Sequence, residues 1–175
     1  MATVSLSLDE IYKLANKTLL VNGCDQETAD ILSELITNAE RDGSLSHGLF
    51  RLPAYVSGLK SGKINGKQKP DIKKLTPSVI KADGKNCLAP VVLNKSIPEL
   101  VKAAKENGVA VLAIINSHHM AAMWPETEKI AEEGLVAFAC TSYKPAVAPA
   151  GAIKPLFGTN PISFAWPRKN NTPVV

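Results

Sequence analysis

Two periodicities divide the chain. Over the first third, apolar residues recur at intervals of three and four, as on one face of a helix. Leu8, Ile11, Leu14, Ala15 and Leu19 predict a helix over 7–20, opened by the capping box Ser7-Leu8-Asp9-Glu10 and ended by Asn22-Gly23. A second helix follows Asp25, with Ile31, Leu32, Leu35, Ile36 and Ala39 on one face, and stops at Asp42-Gly43. The pattern resumes at Leu52, Tyr55, Val56 and Leu59, where Pro53 suits a first helical turn.

Residues 62–77 are rich in Lys, Gly and Pro and read as a linker or exposed arm. The period then changes. Ser96-Ile97-Pro98-Glu99 predicts a helix start, Asn107-Gly108 its end, and 109–115 a continuous apolar strand. A helix over 125–133 and a second buried strand over 135–140 follow. This alternation predicts an α/β layer with both strands near its centre. Pro, Ala and Gly dominate 144–161, a long ordered loop lining something. Residues 162–166 read as a strand, 167–172 as a turn, and Val174-Val175 as the start of a strand that is cut off.

Composition narrows the function classes. An apolar content of 45% with 21% charged residues is that of a soluble globular protein, and 175 residues make one domain or one plus part of another. The run Lys60, Lys63, Lys67, Lys69, Lys73 and Lys74 has few aromatics interleaved, so it reads as a solvated connector and no nucleic-acid partner is expected. Cys24, Cys87 and Cys140 are odd in number and far apart, which predicts a reduced cytoplasmic protein without a metal knuckle. There is no signal-peptide pattern at the N-terminus, and the longest apolar run is too short to cross a bilayer.

Three clusters could carry chemistry. Ser46-His47-Gly48-Leu49-Phe50-Arg51 offers a hydroxyl, an imidazole and a guanidinium; in a helix, a spacing of four puts His47 and Arg51 on one face. Arg can clamp a carboxylate while His moves a proton beside it, which suits a small carboxylate substrate. A solvated helix start with an incidental Arg is the alternative. His118-His119-Met120-Ala121-Ala122-Met123-Trp124 reads either as a ligand wall with small residues for close approach or as a core-filling corner. Phe157-Gly158-Thr159-Asn160-Pro161 reads as a polar loop or simply a turn. Neither a Gly-x-Gly fingerprint nor a phosphate loop occurs, which disfavours a Rossmann domain. Adjacent His118 and His119 point in different directions, so no metal site is expected from them.

Together these clusters resemble the malate/L-lactate dehydrogenase family of NAD(P)-dependent oxidoreductases, distinct from the Rossmann lactate dehydrogenases. The resemblance rests on Ser46-His47-Gly48 with Arg51-Leu52-Pro53, on Asn116-Ser117-His118-His119, and on Gly158-Thr159-Asn160-Pro161, in the family's order. His118-His119 followed by Ala121-Ala122 and Trp124 is similar to the branch that reduces piperideine-2-carboxylate and pyrroline-2-carboxylate.

The resemblance implies a helical region over 1–75 for substrate and dimer contacts, and an incomplete, sheet-based, non-Rossmann NAD(P)-binding domain over 76–175, an α/β (α+β) fold forming a homodimer. It implies His47 as proton donor supported by Ser46, and Arg51 and Thr159 on the substrate carboxylate. His119, Met120, Ala121, Ala122 and Met123 would lie along NADPH, with NADH as the alternative cofactor. Family members are about twice as long, and the aspartate that orients their histidine lies beyond residue 175. No Asp follows Asp83 here, and Asp42 is the nearest substitute in sequence. The chain is therefore expected to be inactive alone. The rival readings are a malate/lactate-type 2-hydroxy acid dehydrogenase and a non-catalytic half-chain that pairs with a complementary half. A Ser-His hydrolase is disfavoured, because Ser46 lies on no Gly-x-Ser-x-Gly turn.

Overall fold

The computed structural model describes residues 4–119 and 121–175 and separates into two compact units, Met1–Ala122 and Met123–Val175. Both mix helix and sheet. In the first unit, helix α1 (Leu8–Val21) starts on the expected capping box: Glu10 N donates to Ser7 Oγ at 3.3 Å and Ser7 N donates to the Glu10 carboxylate at 2.8 Å. Asp25 caps helix α2 (Gln26–Arg41), its carboxylate accepting from Thr28 N at 2.9 Å. The inward faces of α1 and α2 meet Leu52 and Tyr55 of helix α3 (Leu52–Lys60) and Val91 and Val92 of helix α4 (Ala89–Asn107) in one core. Leu32 lies fully buried at its centre. We expect Leu32→Ala to destabilise the fold by about 2–5 kcal/mol, through lost transfer energy and a residual cavity. Urea unfolding checks this: the midpoint should fall with an unchanged slope, and a loss below about 1 kcal/mol would place Leu32 outside the cooperative core.

Three strands accompany these helices. Strand β1 (Asp71–Thr76) pairs antiparallel with β2 (Val79–Asp83), and β2 pairs parallel with β3 (Val111–Ile115), α4 forming the crossover. The tract 62–77 is thus not merely a linker. Its strand is an edge held by ladder hydrogen bonds, so its sequence shows no apolar alternation, and Lys69 anchors the approach to it on Asp25 at 2.9 Å and Glu27 at 2.6 Å. Helix α4 begins at Ala89 rather than Ser96. Pro90 sits in its first turn, Ser96 is buried in its interior, and the burial of Ala89, Val91 and Val92 offsets the hydrogen bond that Pro98 removes. The core of this unit also crosses the expected boundary at 75/76, because Ala82, Leu88, Val91 and Val92 pack with the helices of the opening third.

The second unit contains helix α5 (Trp124–Glu132) and an antiparallel sheet of β4 (Ala137–Cys140), β5 (Ile162–Arg168) and β6 (Asn171–Val174). Ala131, Ala137 and Ala165 form its small core, and the hydroxyls of Thr127 and Ser163 lie 2.7 Å apart. The two runs expected as buried strands of one layer belong to different sheets. Neither is covered on both faces: β3 is an edge strand exposing Val111 and Ile115, and β4 exposes Phe138 opposite Phe164. A continuous apolar run marks a strand but does not say what covers its second face. Strand β5 also runs through Pro167 to Arg168, and left-handed Asn170 tightens the turn that was expected over 167–172.

Candidate active site

The chain leaves α2 through Gly43 and enters two short 3-10 turns, Leu45–His47 and Leu49–Arg51, joined at Gly48. His47 and Arg51 therefore do not share one continuous helix, so their spacing of four does not put them on one helical face. Gly48 makes the break, with a backbone that is neither helical nor extended (φ −86°, ψ −138°), and the adjoining Leu49 N donates to the Glu40 carboxylate at 2.7 Å. A Cβ at position 48 would stand 2.1 Å from Glu40 Oε1, so a larger residue would displace the carboxylate that stitches this turn to α2.

This turn presents the predicted proton donor. Nδ1 of His47 lies 3.0 Å from Ser46 Oγ and 3.4 Å from Ser44 Oγ. Ser46 thus lies against the imidazole, and so does Ser44, which the sequence does not single out. Only the return of the chain after Gly43 brings its hydroxyl within reach. Asp42, the nearest acid in sequence, accepts two hydrogen bonds from Arg41, at 2.8 and 3.1 Å. Burial, and next to it the positive charge of Arg51, hold the half-buried His47 below the ordinary imidazole pKa. Arg51 is itself half-buried. Its Nε is buried without a hydrogen-bond partner, and no carboxylate pairs with its guanidinium among the described residues. A desolvated cation of this kind suits an anionic ligand.

The second cluster reaches the same neighbourhood from β3. Asn116 turns the chain in a left-handed conformation (φ 50°), and its side-chain amide donates to Asp83 at 3.1 Å. His118 N then donates to Cys87 O at 2.9 Å, and Ala89 N to His118 O at 3.0 Å, which ties the loop to the start of α4. His118 is exposed and His119 half-buried, and Nδ1 of His119 lies 3.1 Å from the hydroxyl of Tyr55. Burial, followed by the charges of Arg51, His47 and His118, pushes His119 down to about 4. Tyr55 escaped the sequence reading as a site residue because it also completes an apolar helix face. The available signal was its spacing, four residues after Arg51.

His119 and Ala121 are both left-handed (φ 51° and 59°), and the backbone N–H groups of Ala121 and Ala122 find no acceptor among the described residues. Ala122 is buried, and Met123, also buried, opens the second unit. Met120 lies outside the described residues. Free backbone donors beside small side chains fit an acceptor-rich ligand such as a dinucleotide. In the second unit, Thr159 is exposed on the loop between β4 and β5. Asn160 braces that loop by accepting from Tyr143 N at 3.0 Å, and a Cβ at Gly158 would strike Tyr143 O at 2.1 Å. Among the described residues, no three His, Cys, Asp or Glu side chains gather as a metal would require, and no helix is long and apolar enough to cross a membrane.

A histidine bonded to a neighbouring serine, beside an arginine that no described carboxylate pairs, is a candidate proton-transfer and anion-binding site. The malate/L-lactate dehydrogenase family model matches residues 6–175, and the chain belongs to that family. Over 173 residues, 99% of this chain and 50% of the relative, it is 42% identical to the Delta(1)-pyrroline-2-carboxylate/Delta(1)-piperideine-2-carboxylate reductase of Pseudomonas syringae pv. tomato. It is 41% identical to Delta(1)-pyrroline-2-carboxylate reductase 1 of Burkholderia ambifaria, over 100% of this chain and 52% of the relative. The crystal structure of delta1-piperideine-2-carboxylate reductase from P. syringae matches with a TM-score of 0.90 at 42% identity, covering 98% of this chain and 52% of that one. The chain spans about half the length of the curated relatives it matches.

Proposed function

We propose that this chain carries the proton donor and carboxylate anchor of an NADPH-dependent reductase that converts pyrroline-2-carboxylate and piperideine-2-carboxylate to proline and pipecolate. The carrying observation is His47, bonded through Nδ1 to Ser46, beside an Arg51 that no carboxylate of the protein neutralises. The names of the two relatives support the choice of a cyclic imine. Bound NADPH would supply the hydride to the imine carbon, and NADH is the weaker candidate. His47 supplies the other hydrogen, a proton from Nε2 to the ring nitrogen, and the C=N double bond becomes a single bond. In that protonated state Nδ1–H donates to Ser46 Oγ, which keeps Nε2 aimed outward. Arg51 grips the substrate carboxylate. The N–H groups around Ala121 and Ala122, with His119, Met120 and Met123, line the cofactor. The helices of the opening third supply substrate and dimer contacts in a cytoplasmic homodimer.

The test is NADPH oxidation by the family-length protein that carries this sequence, offered pyrroline-2-carboxylate, piperideine-2-carboxylate, pyruvate and oxaloacetate in turn. Turnover confined to the cyclic imines is expected. A preference for the 2-oxo acids would make it a malate/lactate-type dehydrogenase, and no turnover with any of them would favour a non-catalytic chain. The cofactor assignment has its own check. Ala121→Leu should weaken NADPH binding, followed by nicotinamide fluorescence, while the circular dichroism spectrum is unchanged. Equal affinity in the folded variant would make residues 119–123 a packing corner only.

A further inference from the structure

We propose that Tyr55 is a positioning residue: its phenol holds the His119 imidazole as the neutral tautomer protonated on Nε2, a fixed and uncharged hydrogen-bond donor beside His47 and Arg51. Tyr55 is 2% exposed, and its ring meets that of His119 edge to face at a centroid separation of 5.5 Å. Its hydroxyl has one partner among the described residues, Nδ1 of His119 at 3.1 Å. Were Nδ1 the donor, the phenolic proton would be left buried without an acceptor, a loss of about 1–3 kcal/mol. The phenol therefore donates, Nδ1 accepts, and the single proton of a neutral imidazole is left to Nε2.

Every ionisable group acting on His119 reinforces this assignment. Arg51, His47 and His118 are each cationic or able to become so, and all three oppose a second proton on the ring, as does its burial. Burial also pushes the Tyr55 phenol up to about 12, so it stays a donor throughout the physiological range. The arrangement bears on the proton donor. A cationic His119 would add a second positive charge near His47, which Arg51 already disfavours in its protonated form. A neutral His119 still offers Nε2–H, which has no protein partner among the described residues, to an acceptor oxygen of a bound ligand. That ligand-facing role rests on the reductase reading; the tautomer itself does not.

Long-range proton–nitrogen NMR on the 15N-labelled chain tests the proposal directly, since His47, His118 and His119 are its only histidines and His119→Gln identifies the third. His119 should show a protonated Nε2 and a bare Nδ1 with no titration around neutral pH. In Tyr55→Phe, which keeps the ring, the signal should shift to a mixture of tautomers. An Nδ1–H tautomer or a cationic His119 at neutral pH in the unsubstituted chain would overturn the assignment, and so would a folded Tyr55→Phe with unchanged tautomer populations. If that variant does not fold, the tautomer of the unsubstituted chain alone decides. A family-length protein that reduces no cyclic imine would sink the proposed reaction and leave the tautomer result standing.

Discussion

Replacing His47 by alanine in the family-length protein lowers kcat by roughly 10²- to 10⁴-fold, the usual share of a positioned general acid, and leaves KM for the cyclic imine nearly unchanged. The expectation rests on the Ser46 hydroxyl, 3.0 Å from Nδ1, which orients the ring without touching the carboxylate anchor. A pH dependence accompanies it. In the proposed reaction the acid form of His47 is the active one, so kcat/KM should fall as pH rises through the free-protein pKa, which burial and Arg51 hold below 6.5. A substrate carboxylate seated on Arg51 offsets that charge and raises the pKa, so the corresponding limb in kcat should lie at higher pH than the limb in kcat/KM. Steady-state rates across pH check both statements. An unchanged kcat at saturating substrate in His47→Ala would remove His47 from the mechanism.

Arg51→Lys is the second large effect, and it should fall on KM. A planar fork grips both carboxylate oxygens, whereas an ammonium acts as a point charge. Losing one charge-assisted hydrogen bond of about 1.5–3 kcal/mol corresponds to a rise in KM of roughly 10- to 150-fold. The free-cofactor affinity should not move, because the role proposed for Arg51 is toward the substrate. The half-buried position of Arg51 sharpens the prediction, since its Nε lies out of water without a protein partner. If KM for the imine stays constant, Arg51 is a structural cation of the segment leading into α3.

Much of the first unit was legible because its signals are local. Ser7 and Glu10 cap α1 within four residues of each other, and Asp25 caps α2 through Thr28 N. The Ser46–His47 contact joins sequence neighbours, so a reading of adjacent residues could find it. The start of α4 was misplaced for the opposite reason. Ser96-Ile97-Pro98-Glu99 is a good local cap, yet burying Ala89, Val91 and Val92 carries the helix past it. Strand β1 was missed because its pairing with β2 comes from backbone ladder bonds, which leave little trace in a polar sequence.

What the sequence determined by itself was the set of helices with a periodic apolar face and the family motif order, and it singled out Ser46, His47 and Arg51 as a candidate cluster. Short-range hydrogen bonds and helical periodicity act within a few residues, so they are written in the order of the chain. Tertiary structure alone decided that Gly48 breaks the helix between His47 and Arg51, and that Ser44 joins Ser46 at the imidazole. It alone brought Tyr55 to His119, 64 residues further along the chain. Such contacts arise when packing brings distant backbone together, and the energy of a buried polar pair depends on neighbours that no local pattern names.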